Sequence, residues 1–340
     1  MPSSCKKKLN VKTILNIFGI GLSAGLLLYL CLSKDGLFSL RDTQFQTIWL
    51  VLGFACTLSD LLLDTVLIYI FTKGVCSGYT FRRAAKVCMV GHLYSAITPF
   101  QSGGQPMQIY AMSKQKIDPG TSASTLIQKF FVYQTSITAY SFFAIFYETN
   151  TPHDGLNPVM WWLAMIGFAV QALAAVMILV VSFNQKFTNW LVKIIVRSLN
   201  RINIVKDYDK TLASWEKQLD FFHKSNQQLY SNKLLLVKAY LLTFLQLTAL
   251  FAVSYCVYRA FGFNKATLAN MIFSQAFVTM VSSLVPLPGA AGASEGSFYV
   301  FFSSYFTLQT LKSAVLIWRI ITYYAVMLIS APFSRIKDKM

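Results

Sequence analysis

Apolar residues run through this chain in long unbroken blocks, so block length carries more information than any period of two or 3.6 residues. A helix needs about 20 apolar residues to cross the hydrocarbon core of a bilayer. Six blocks reach or approach that length, at about 13–33, 45–72, 122–148, 158–183, 233–261 and 311–333. Two more, near 84–113 and 267–309, are interrupted by proline and glycine where a membrane helix should be continuous. The interruptions are Ile97-Thr98-Pro99-Phe100-Gln101-Ser102-Gly103-Gly104-Gln105-Pro106 and Val285-Pro286-Leu287-Pro288-Gly289-Ala290-Ala291-Gly292-Ala293-Ser294-Glu295. Lipid cannot satisfy the amides and carbonyls of unwound backbone, which survives at bilayer depth only where protein buries it or where it lines a polar cavity. One break in each half of the chain is the pattern of a transporter with internal repeats.

Composition fits that picture. Of 340 residues, 55% are hydrophobic and 13% charged, with mean hydropathy +0.51, a balance that a soluble domain of this length does not carry. The predicted class is an all-α polytopic membrane protein forming one integral membrane domain over 1–340. Its first repeat covers about 45–148 and its second about 233–333, joined by a linker span and a cytoplasmic loop at 158–232. The leader Met1–Lys12 reads as the positive flank of a retained first span, too long in its apolar part for a cleaved signal peptide.

The formal charge of +17 would suit a nucleic-acid binder, but its placement excludes that partner. Lys6, Lys7, Lys8 and Lys12 precede the first span, and Lys73, Arg82, Arg83 and Lys86 follow the second. Lys114 and Lys116 follow the first break, a basic block occupies 186–224, and Arg335, Lys337 and Lys339 close the chain. All lie on one side if the spans alternate, whereas the loop between the third and fourth spans has no Lys or Arg. The positive-inside rule then puts both termini in the cytoplasm of a bacterial inner membrane.

For the basic residues at 82–86 and 114–116 both to be cytoplasmic, the segment between them must enter and leave on one face as a re-entrant hairpin. By alternation the second interrupted segment enters and leaves from the opposite face. Span, hairpin, span thus occurs twice in opposite orientation, an inverted-topology repeat whose tips meet near the midplane. The competing explanation is that Pro and Gly merely kink two ordinary spans; parity and segment length favour hairpins. The loop at 184–232 mixes Trp190, Ile194, Ile195, Trp215 and Phe222 with basic residues, as interfacial amphipathic helices do.

Candidate chemistry is sparse. The chain reads as having no Walker loop, no G-x-S-x-G elbow and no His/Asp cluster with metal spacing, and His92, His153 and His223 lie far apart. Cys5, Cys31, Cys56, Cys76, Cys88 and Cys256 show no CxxC spacing and read as small apolar fillers, neither a metal site nor a disulfide frame. No catalytic residue, cofactor or metal is expected. Charged residues inside the spans remain, since burying a charge costs several kcal/mol or more unless it is paired. Asp60 and Asp64 share one helical face, either as a proton or cation relay or as a structural pair neutralised by Lys129 or Arg319. Glu295 follows the second break, where it would cap the returning half-helix or face the cavity. A lipid-headgroup cavity would be lined by Thr98, Pro99, Gly103, Gly104, Gln105 and Gln108 from the first break. The second break would add Pro286, Pro288, Gly289, Gly292, Ser294 and Glu295. The glycines are expected to serve unusual backbone angles or close approach.

The run from Thr98 through Gln108-Ile109-Tyr110, followed about 175 residues later by Pro286 through Ser294-Glu295-Gly296, resembles the transmembrane region of bacterial lysylphosphatidylglycerol synthases, the multiple peptide resistance factor family, and its stand-alone relatives. The likeness covers nearly the whole chain. It implies a flippase-like membrane domain that moves aminoacylated phosphatidylglycerol between leaflets, with aminoacyl transfer carried out by a separate soluble domain. This chain ends at Met340, so the expectation is a protein without that soluble domain. Gln105 and Gln108 stand where many relatives carry Glu and Arg, so the resemblance does not carry over those charged contacts. The expected function is translocation of a phospholipid or lipid-linked headgroup: aminoacyl phospholipid, glycolipid or polyprenyl-phosphate carrier. The alternative is a phosphatidylglycerol lysyltransferase component, linked to cationic antimicrobial peptide resistance, that lacks its own catalytic domain. A third reading is a scaffold that does not transport. Expected partners are membrane lipids and a separate lipid-modifying synthase, and an oligomer is compatible with the pattern.

Overall fold

A computed structural model describes residues 45–150, 158–201 and 207–334. The first expected span, the leader, Cys5, Cys31, His153 and the last six residues lie outside them. Four helices among the described residues are long and apolar enough to cross a membrane: α1 (Thr47–Lys73), α5 (Pro158–Phe183), α8 (Lys233–Ala260) and the continuous run Leu308–Phe333. That last run comprises α11 (Leu308–Arg319), a π-helical turn at Ile320–Tyr324 and α12 (Ala325–Ser330). The expected third span is α4 (Pro119–Asn150), whose 32 residues cross by length, not by hydropathy. Its polar residues face protein: Gln134 Nε2 donates to the Gln171 carbonyl at 2.9 Å and Ser141 Oγ to Gln171 Oε1 at 2.9 Å, both on α5.

Helices α1 and α8 run antiparallel in the most extensive helix pairing among the described residues. The Gln46 amide donates to the Ala260 carbonyl at one end (3.0 Å), and Gly74 packs against Leu229 and Leu235 at the other. Near the Gln46 end, Gly53 lets the backbones close until its missing Cβ would stand 3.3 Å from the Cys256 Cβ, the small-residue contact that membrane helices use in place of a hydrophobic driving force.

Both interrupted segments are hairpins. The first comprises α2 (Phe81–Ala96), a 3-10 turn at Pro99–Gln101 and α3 (Gly104–Lys114). At its base Gln115 Nε2 donates to the Arg83 carbonyl at 3.3 Å, so entry and exit lie side by side, next to the C-terminal end of α1. The second comprises α9 (Leu268–Ser282), a turn at Pro288–Ala290 and α10 (Ala293–Phe301). Its base closes on the C-terminal end of α8, where Phe306 packs edge-on against Tyr258, Phe261 and Phe263. Because α1 and α8 are antiparallel, the two bases sit on opposite faces. At about 1.5 Å per residue α2 and α9 reach only about 24 and 22 Å, short of the roughly 30 Å core, so neither half-helix is a span. The two turns lie against each other away from both bases. Span, hairpin, span therefore occurs twice with opposite orientation, and ordinary kinked spans are excluded.

Two further helices, α6 (Gln185–Arg201) and α7 (Tyr208–Ser231), join the halves. Helix α7 docks on α4 and α5: Gln218 Oε1 accepts from the Gly120 amide (2.8 Å), and Asn226 Nδ2 donates to the Ser182 carbonyl (2.6 Å). On α6, Val192 and Val196 are buried, whereas Trp190 and Ile194 are exposed beside Lys193 and Arg197, as befits a helix lying at an interface.

Candidate functional site

The two turns are built alike. Pro99 and Pro288 each open a 3-10 turn, the next two residues in each adopt left-handed backbone, and a glycine four residues after the proline begins the returning half-helix. The left-handed pairs are Phe100 (φ 52°) with Gln101 (φ 56°), and Gly289 (φ 61°) with Ala290 (φ 49°). Only Gly289 fills such a position without strain. Its Cβ would also stand 2.5 Å from the Tyr323 ring, so this glycine answers both to angle and to space. Gly103 and Gly104 have ordinary angles and serve close approach to Thr98 and Ser95, whereas Gly292 (φ 85°) has open space around it. The first break therefore places its unusual angles on non-glycine residues, which the sequence pattern does not disclose.

At the second tip, Arg319 reaches from the end of α11 into the break. Its Nε donates to Glu295 Oε1 at 2.6 Å, and its Nη2 to the Gly289 carbonyl at 2.7 Å and to Ser294 Oγ. Glu295 Oε2 accepts from the Gly292 amide at 2.7 Å, so Glu295 caps α10 and pairs with Arg319 at once. The amide just before that half-helix is thus engaged, not free. The hydroxyl of Tyr323, in the π-helical turn, crosses to the other hairpin and donates to the Ala96 carbonyl at 2.9 Å. The Arg319 guanidinium lies 5.2 Å from the Tyr323 ring centre, joining the charge pair to that link.

The first half arranges its charges differently. Lys129 of α4 pairs with Asp64 Oδ1 at 2.5 Å, and Asp64 Oδ2 faces His92 Nε2 at 3.3 Å and Cys88 Sγ at 3.2 Å. Asp60 accepts at Oδ1 from Gln246 Nε2 of α8 at 2.8 Å. Of the two cations weighed as neutralising the aspartates, Lys129 takes Asp64 and Arg319 takes Glu295. Gln108 is buried against Gly91, which adjoins His92 and lies about one turn from Cys88, while Gln105 is half-buried and Pro106 exposed. Thr98 Oγ1 donates to the Tyr94 carbonyl (2.6 Å) and accepts from the Gly103 amide (2.9 Å), holding the first turn without any charge. Pro288 is buried in the second turn and Pro286 exposed. Exposed polar groups at the tips are Gln101 and Ser102 on one side and Ser283 on the other.

Sequence reasoning passed over two features. Asp64, Cys88 and His92 come from two helices and lack a linear metal signature, yet the Cys88–His92 spacing of four, one turn of helix, was the available signal. Gly292-Ala293-Ser294-Glu295-Gly296 has the G-x-S-x-G spacing of a nucleophile elbow. Its hydroxyl is bonded to the Ala290 carbonyl (2.9 Å) and to Arg319, with no histidine among its partners, and it stands on a helix start and not on a strand-turn-helix. Ser294 is held as a structural hydroxyl.

The family model described as "Lysylphosphatidylglycerol synthase TM region" matches residues 16–330. A protein of Archaeoglobus fulgidus described as a "UPF0104 membrane protein" is 24% identical over 266 residues, covering 76% of this chain and 78% of that protein.

Proposed function

Because the chain belongs to the lysylphosphatidylglycerol synthase transmembrane-region family, we propose that it is a lipid translocase of a bacterial inner membrane, with both termini cytoplasmic. The observation that carries the reading is the meeting of two turns with left-handed backbone, flanked by exposed polar residues, far from the base of either hairpin. Unwound polar backbone at that depth is tolerated where it lines a polar passage.

In the proposed cycle a headgroup enters between the tips while its acyl chains stay in lipid, which spares it several kcal/mol per polar group otherwise left unsatisfied in hydrocarbon. The lipid phosphate competes with Glu295 for Arg319, whose planar fork suits either anion. Release of Arg319 frees the Gly289 carbonyl and loosens the Tyr323 link to Ala96, so the tips part and the headgroup passes. The half-helix start at Gln105 adds a dipole end that favours the anion, and the start at Ser294 does so once Glu295, which caps it, gives way. Asp60, Asp64 and Lys129 form the charge store of the opposite half. No ATP-binding motif is present, so the lipid gradient or an ion gradient drives the step.

The word synthase in the family description favours a second reading, a lysyltransferase component acting with a separately encoded catalytic domain. One experiment separates the two. Total lipids are measured by extraction and mass spectrometry, and outer-leaflet lipids by surface labelling, in cells lacking the protein and in complemented cells. The translocase reading expects an unchanged total with a reduced outer-leaflet share on deletion, and that lipid is the substrate. Loss of total aminoacyl-phosphatidylglycerol would overturn it in favour of the synthase component.

A further inference from the structure

Three side chains with metal-binding atoms converge beside the first hairpin, outside the tips. Asp64 projects from α1, and Cys88 and His92 project from α2, four residues apart and so on one helical face. Their ligand atoms lie within 4.8 Å of one another. A tetrahedral zinc-class ion holds sulfur at about 2.3 Å and imidazole nitrogen or carboxylate oxygen at about 2.0–2.2 Å, which sets ligand edges of about 3.3–3.6 Å. Two edges already stand near those values: Asp64 Oδ2 is 3.2 Å from Cys88 Sγ and 3.3 Å from His92 Nε2. The His92 Nε2 atom is sealed from solvent without a well-aligned hydrogen-bond partner.

We propose that Asp64, Cys88 and His92 form a binding site for a thiophilic divalent transition metal of the zinc class. The donor set selects the class: thiolate and imidazole disfavour magnesium and calcium, which take oxygen ligands. Binding replaces the Cys88 thiol proton, which leaves to solvent, so the thiolate and the Asp64 carboxylate offset the dipositive ion and the Lys129 ammonium is left as the net charge of the cluster, with Asp60 one turn away on α1. Asp64 coordinates through Oδ2, because Oδ1 is taken by Lys129 at 2.5 Å. Lys129 then orients the ligating carboxylate from behind, as outer partners of metal ligands do. Three protein ligands leave a fourth position for water or a lipid oxygen. Such an ion fastens α2 of the first hairpin to α1, as Arg319 and Glu295 fasten the second hairpin to α11.

The test uses tag-free full-length protein in lipid nanodiscs, stripped with chelator and titrated with Co2+. One equivalent per chain is expected, with a sulfur-to-cobalt charge-transfer band in the near ultraviolet that Zn2+ displaces. Cys88→Ser should lose the band and bind at least about tenfold more weakly, the lower end of the loss seen when only a residue that hydrogen-bonds to a metal ligand is changed. Cys256→Ser should keep it. If Cys88→Ser does not elute as folded protein, His92→Gln carries the same expectation. Absence of the band from the wild type, or an undiminished band in the folded Cys88→Ser or His92→Gln protein, overturns the proposal.

Discussion

The two hairpins share one backbone turn and differ in what secures it. In the second, a buried charge pair ties the tip to the span that follows: Arg319 holds Glu295, the Gly289 carbonyl and Ser294 together. In the first, the turn is held by neutral bonds through Thr98, and the corresponding cation, Lys129, about three turns into the next helix, is spent on Asp64 of α1. One copy therefore keeps its charge at the tip and the other keeps it at the wall. A duplicated turn can thus serve as a charged latch on one side and a neutral surface on the other without any change in fold.

Removing the latch should give the largest effect. Arg319→Gln leaves the largely enclosed Glu295 carboxylate without its cation, and breaking a buried pair from one side costs up to about 3–5 kcal/mol. A large fall in the unfolding midpoint in nanodiscs and loss of outer-leaflet labelling are expected, with Glu295→Gln added to Arg319→Gln recovering much of the midpoint but not the labelling. An unchanged midpoint in Arg319→Gln would erase the asymmetry between the hairpins.

Bulk at the tips comes next. Gly289→Val meets the Tyr323 ring and forces a branched residue to positive φ, a combination worth about 2–4 kcal/mol. Gly103→Val meets the Thr98 side chain, whose methyl would be 2.6 Å away, and the Tyr94 carbonyl oxygen at 3.1 Å, but keeps an ordinary φ and should cost less. Both should insert normally and fail to move lipid in the surface-labelling assay; normal transport by both would remove the role of the tips.

A smaller effect of opposite sign is expected at Phe100. Phe100→Gly relieves left-handed strain of about 1–2 kcal/mol and gives back about 0.5–1 kcal/mol in chain entropy. The unfolding midpoint should rise by a few degrees at most, and a fall would mean that the exposed ring makes contacts worth more than the strain.

The linker gives the smallest effect and serves as a control. Burial lowers the His223 imidazole below its ordinary range against the opposing pull of Asp220, so the folded protein binds its proton less readily than the unfolded chain. Its contribution is complete above the ordinary imidazole range and is lost as pH falls below it. Between pH 7.5 and pH 5.5 the wild-type midpoint should drop slightly more than that of His223→Gln, with the same differential in an Arg319→Gln background.

Much of this fold is legible because lipid enforces it. The breaks at Pro99 and Pro288 and the parity of basic residues around them suffice to give two opposed hairpins, since no other arrangement keeps Arg83 and Lys114 on one face. Helix α4 is harder to read, because Gln128, Gln134 and Lys129 lower its hydropathy while facing neighbours that only the fold supplies. The partners of Asp64 and Glu295 are hidden for the same reason: both choices between Lys129 and Arg319 are open in sequence, and packing decides. The left-handed pair Phe100 and Gln101 is hidden because the usual sign, glycine, is absent there. The repeated spacing of four from Pro99 to Gly103 and from Pro288 to Gly292 is the signal from which the shared turn could have been inferred.

Helix α5, among the described residues the most apolar of the long helices and the most open to lipid, belongs to neither copy of the repeated unit. Each copy crosses twice and so returns to the face from which it began. A chain of two such copies joined directly would present both hairpins from the same side, with their tips side by side and pointing the same way. One added crossing reverses the sense of everything after it. The single greasy helix is therefore the odd number in the topology, and the meeting of the two tips depends on it, though it contributes no residue to either.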